Sequence, residues 1–191
     1  CIYLPDGRVA CQFQRPQIDT NDKFDAGGLS YDVVEPFSSV GMRYRGKVFV
    51  LDDPGVLRDP RQMLVSSPQA DCEITMALDK NSGMHGGEPI DDEQVTMYGR
   101  DLSSGHFFQQ MKTRASISIG NESFEINGLG WRDHSWGPRY WTNINFYRLL
   151  IVNFNNGDGF TVLKITDMAG VTRRYGALNV GGELEDITDI D

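Results

Sequence analysis

The sequence has no run of about 18 apolar residues, so no segment is expected to span a bilayer. Basic residues are scarce: 18 lysines and arginines stand against 27 aspartates and glutamates, a net charge of −9. Such a chain lacks the cationic surface that nucleic acid or an anionic membrane requires. Cysteine is scarce too. Cys1, Cys11 and Cys72 form no CxxC pair, which argues against a disulfide framework or a zinc knuckle. Reduced thiols in a cytoplasmic protein are the simplest reading. The three histidines, His85, His106 and His134, lack metal-ligand spacing. Asp52-Asp53 and Asp91-Asp92 read as solvated turns, so no metal is expected. Gly27-Gly28 and Gly86-Gly87 lack the strand–loop–helix context of a phosphate cradle, and no cofactor is expected. There is no GxSxG, and the consecutive Asp133-His134-Ser135 cannot form a triad among themselves. No signal peptide, internal repeat or low-complexity tract is visible.

What is present reads as strand nearly throughout. A chain of 191 residues, 39% apolar and with 21 glycines, is long enough to bury a core. Alternation or β-branched content predicts strands over 8–14, 29–34, 40–44, 47–51 and 72–78. Arg45-Gly46 is expected to be a two-residue hairpin turn. Residues 79–105, polar and glycine-rich, read as a long loop. A long strand is expected over 106–119, turned back by Gly120-Asn121 into 123–127. Strands over 143–154 and 159–166 flank Asn155-Asn156-Gly157-Asp158, a strong hairpin signal in which Asp158 is a turn residue. Ala169-Gly170 leads into 171–180. Only 60–65 suggests a helical turn. Successive strands with tight turns predict an all-β antiparallel barrel or sandwich.

Residues 130–141, Gly-Trp-Arg-Asp-His-Ser-Trp-Gly-Pro-Arg-Tyr-Trp, break that pattern. Acid, base and cation sit among three tryptophans, Trp131, Trp136 and Trp141. Buried charge must be paired and a buried indole N–H wants a partner, so the stretch points to a site or to a structural ion pair beside an aromatic cluster. If extended, it puts Trp131, Asp133 and Ser135 on one face and Arg132, His134 and Trp136 on the other.

The octapeptide 132–139 resembles the signature of the carotenoid hydratase (hydroxyneurosporene synthase)-like superfamily. Ala-Gly-Gly-Leu-Ser-Tyr-Asp-Val-Val-Glu-Pro at 26–36, the strand 106–110 and Asn-Gly-Leu-Gly at 127–130 are weaker matches to it. The resemblance implies two tandem lipocalin-like β-domains. Residues 1–142 would be the first, and 143–191 the opening strands of a second, truncated one. It implies a fold more firmly than a reaction.

Two functions follow as expectations. The first is a hydratase, isomerase or cyclase acting on an isoprenoid or related lipid. Here Asp133, kept protonated by an apolar cavity, would donate to an alkene, and His134 would activate water. Trp131 and Trp136 would wall the cavity and stabilise cationic charge. Arg139, Tyr140 and Gln110 would orient the ligand. The second is a non-catalytic carrier of a hydrophobic small molecule. If Asp133 instead faces an arginine, such as Arg139 or Arg148, it is a structural anion. The chain's start at Cys1 and its break-off after Gly181 without a closing strand read as a fragment. Unpaired strands from 143 onward are then expected to self-associate or to meet a missing C-terminal segment.

Overall fold

A computed structural model describes residues 1–20, 23–88, 104–137 and 140–190. The chain is all-β, as expected. Its strands are β1 (Ile2–Tyr3), β2 (Val9–Cys11), β3 (Asp25–Ala26), β4 (Leu29–Glu35), β5 (Ser39–Leu51), β6 (Gln69–Gly87), β7 (Gly105–Ile119) and β8 (Glu122–Trp136), then β9 (Ile144–Asn153), β10 (Gly159–Asp167), β11 (Thr172–Val180) and β12 (Glu183–Asp186). Among the described residues the one α-helix, α1 (Pro60–Ser66), has seven residues. It starts where expected, with Pro60 in its first turn and the Asp59 carboxylate accepting from Arg61 and Gln62 N–H. None of its residues but Met63 is buried.

Two sheets form. The first runs β1-β2-β5-β6-β7-β8, with β4 also on β5 and β3 on β4; the second runs β12-β11-β10-β9. By contacts the chain divides into two compact units, Cys1–Leu78 with Thr113–Asn127, and Asp79–Lys112 with Gly128–Asp191.

In the first unit, β7 alternates cleanly: Ala115, Ile117 and Ile119 are buried and Arg114 and Ser116 exposed. Ile117 and Ile119 join Leu4, Ala10, Val48 and Cys72 in one cluster. Val9, Cys11, Phe49, Leu51 and Met63 form a second. Neighbours in sequence thus go to different clusters, as the strand period requires. Arg8 bridges Asp6 at 2.7 Å and Glu122 at 2.7 Å.

Three expectations need correction. Arg45-Gly46 is not a turn but part of the unbroken β5. Arg45 N–H donates to Gly28 O at 2.9 Å, so the position belongs to a ladder. Gly46 is there for space: a Cβ would lie 2.7 Å from the Tyr44 hydroxyl, which reaches over it to Lys47 O at 2.9 Å. Residues 79–87 of the expected loop belong to β6, while 89–103 lie outside the described residues. The stretch after Gly181 does form a strand, β12, paired with β11 through Ala177–Asp186 and Val180–Glu183.

In the second unit, β9, β10 and β11 pair antiparallel, Asn153 facing Gly159 and Gly159 facing Asn179. The hairpin at 155–158 closes as the sequence predicts. Gly157 takes a φ of +97°, and Phe154 N–H donates to Asp158 O at 2.9 Å. Residues Gly105–Met111 of β7 are buried without a break, which means that both faces are covered.

Candidate functional site

The motif strand is the second half of β8, and the expected alternation is what the structure has. Arg132, His134 and Trp136 all meet Phe107. The Arg132 guanidinium carbon is 5.0 Å from the ring centroid. His134 stacks on it at 5.4 Å and 20°, and Trp136 meets it edge-on at 6.5 Å. Gly105 allows this, since any Cβ there would strike the Trp136 indole. Burial, reinforced by the Arg132 charge, lowers the His134 pKa against the pull of Asp133. His134 is therefore a neutral imidazole at pH 7, stacked within an aromatic cluster.

The other face carries Asp133 and Trp131. Asp133 Oδ1 lies 2.8 Å from His106 Nε2. Among the described residues its hydrogen-bond partner is His106. The Asp133 side chain is 48% exposed. His106 is buried, 4.3 Å edge-on from Phe108. Trp131 packs on the cluster of Phe108, Leu163 and Tyr175, and among the described residues its buried indole Nε1 has no hydrogen-bond partner. A second His–Asp contact belongs to the same unit. His85 Nδ1 is 3.5 Å from Asp186 Oδ1, and its ring is 4.5 Å from Tyr175. Burial lowers the His85 pKa, opposed by Asp186.

Gln110 is fully buried, but as a structural hub. Its amide N–H groups go to Asn153 Oδ1 at 2.7 Å and Asp158 O at 3.1 Å. Its carbonyl accepts from Asn81 at 2.8 Å and from Asn179. Two donors and two acceptor positions are all a glutamine has, so nothing is left for a ligand. Tyr140 is 60% exposed. Arg139 lies outside the described residues.

A pocket of about 420 Å³ lies elsewhere, in the first unit. None of the candidate catalytic or ligand-binding residues proposed from the sequence lines it. Its wall is aliphatic, with Ile2, Ala10, Leu29, Met42, Val48 and Ile74. Its polar members are committed to the backbone. Gln12 donates to Lys47 O at 3.0 Å, Tyr44 to the same oxygen at 2.9 Å, and Gln14 to Gly27 O. Burial, then Cys72, raises the Tyr44 pKa. No carboxylate or imidazole lines the pocket. Sequence reading missed it because its walls are drawn from six strands, β1, β2, β3, β4, β5 and β6, with no local motif. It missed the roles of His106 and Tyr175 for the same reason, since Asp133 is 27 residues from His106. Among the described residues no group of three His, Cys, Asp or Glu could hold a metal, and no helix is long and apolar enough to cross a membrane.

No curated protein matches this sequence. One solved structure, from Nitrosomonas europaea and provisionally named an AttH, is similar at 12% identity and a TM-score of 0.44, over 78% of this chain. The chain spans 62% of that protein's length. The family model described as "Domain of unknown function (DUF7064)" matches residues 1–191, the whole chain, which therefore belongs to that family.

Proposed function

We propose that the protein is a carrier that binds a compact apolar molecule in the pocket of its first unit. The observation that carries this is the lining: a largely aliphatic wall whose glutamines and tyrosine already serve the backbone. A volume of about 420 Å³ falls within the roughly 300–1,000 Å³ of small-molecule sites. Transfer of an apolar body into such a site is favourable in proportion to the area removed from water. With no carboxylate or imidazole among its described lining residues, the site fits holding a ligand rather than protonating it. The test is titration with the neutral fluorophore N-phenyl-1-naphthylamine. The wild-type protein should enhance its emission saturably, and Met42→Glu, which puts a charge on the wall, should abolish the enhancement with circular dichroism unchanged. No enhancement by the wild type, or full enhancement by a folded Met42→Glu, overturns the reading.

A second reading is favoured by one contact, the 2.8 Å pair of His106 and Asp133 beside Trp131. In it the second unit adds water to, isomerises or cyclises an isoprenoid, with Asp133 and His106 handling the proton. Asp133→Asn separates the two. A carrier keeps its affinity and has no turnover to lose, whereas an enzyme loses turnover and keeps binding.

A further inference from the structure

The ladder of β1 and β2 brings two thiols to facing positions. Ile2 lies opposite Ala10 and Tyr3 opposite Val9. Extended by one residue, that register sets Cys1 opposite Cys11. Leu4 N–H donates to Arg8 O at 2.9 Å, which makes Leu4 and Arg8 a hydrogen-bonded position. The alternation of an antiparallel ladder then makes Ile2 and Ala10 a hydrogen-bonded pair and Cys1 and Cys11 a non-hydrogen-bonded one. Opposite Cα atoms in such a pair lie about 4.5 Å apart, within the ~4.4–6.8 Å that a disulfide spans. Both residues also line the apolar pocket. Cys72 is not a rival partner. It packs with Ala10, whereas Cys11 packs with Val9, and these two neighbours point to opposite faces of β2.

We propose that Cys1 and Cys11 are a disulfide-forming pair, oxidised by exchange with a small-molecule disulfide of the glutathione type. Cys1 is exposed and Cys11 buried. Burial also pushes the Cys11 thiol up, away from thiolate, so Cys1 is the first attacker. The Cys1 thiolate attacks one sulfur of the oxidant and releases one small thiol, leaving a mixed disulfide. Cys11 then gives up its proton to solvent, attacks the Cys1 sulfur and releases the second thiol. Two protein thiols are oxidised and one disulfide is reduced to two thiols. The bond ties β1 to β2 along one wall of the pocket, which makes that wall responsive to redox state.

The experiment treats the full chain with glutathione disulfide and counts thiols in denaturant. Three should titrate before oxidation and one after. Tryptic cleavage after Arg8 puts Cys1 and Cys11 on different peptides, so mass spectrometry should find those two peptides joined. Cys1→Ser changes an exposed side chain. It should keep both remaining thiols free of a protein disulfide under the same treatment. Three thiols persisting, arrest at a single glutathione adduct, a link to Cys72 or a link between chains each overturns the proposal. So does a Cys1→Ser protein that still closes an internal disulfide.

Discussion

Replacing Gln110 by alanine tests whether the second unit rests on its amide hub. The wild-type side chain makes four hydrogen bonds, to Asn153, Asp158, Asn81 and Asn179. None of the four partners is stranded when it goes. Asn81 keeps Gly157 O at 2.9 Å, and Asn179 keeps the same oxygen at 3.4 Å. Asn153 has access to solvent and a further contact with Leu129 O at 3.3 Å. The carbonyl of Asp158 loses its contact to Gln110. Asp158 O keeps the Phe154 N–H at 2.9 Å, so each of the four lost bonds costs about 0.5–1.5 kcal/mol. A loss of roughly 2–6 kcal/mol follows, which is a large part of a typical total of ~5–15 kcal/mol. Urea unfolding should therefore show the midpoint falling by ~1–3 M at an unchanged slope, for a slope of about 2 kcal/mol/M. Gln110→Glu sharpens the test. Its carboxylate would face two acceptors, Asn153 Oδ1 and Asp158 O, so its folded pKa is raised above the unfolded value. Relative to wild type, that variant is then most stable in acid and loses ground as pH rises past ~4.3. A midpoint shift under about 0.5 M for Gln110→Ala, or a Gln110→Glu protein that gains stability on wild type as pH rises, would refute the reasoning.

Gly105→Val should destabilise by about 1–3 kcal/mol by pushing the Trp136 indole off the β7 backbone, and the tryptophan emission maximum should shift red; unchanged emission contradicts the packing. His85 and His134 have pKa values lowered by burial. The unfolded chain therefore binds protons first, and stability present above pH ~6.5 is lost as pH falls through the folded values. Melting temperatures flat from pH 7.5 to 5 would dispose of this. Asp133→Asn should cost under about 1 kcal/mol, because a half-exposed pair is worth little. A protein unfolded by that change would make the motif a structural keystone.

The fold was legible where one face of a strand meets water. Ala115, Ile117 and Ile119 alternate with polar neighbours, so period two could be read directly. The hairpin at 155–158 was legible because Asn-Gly chemistry is local. Gly105–Met111 carried no period because both of its faces are covered. Gly46 misled because a glycine that makes room for a neighbour looks the same in sequence as one that turns the chain. The motif's alternation was read correctly, but its partners His106 and Phe107 come from another strand. The pocket carried no signature at all, since ordinary aliphatics become a site only when separate strands bring them together.

The two compact units meet in the sequence at three places, between Leu78 and Asp79, Lys112 and Thr113, and Asn127 and Gly128. Each falls inside a strand, β6, β7 or β8. No single cut in the chain yields either unit whole, and removing either one by deletion breaks three strands of the one that is left. Such a protein cannot be assembled by joining two finished modules end to end. A protease that nicks one of these strands should find that neither piece survives.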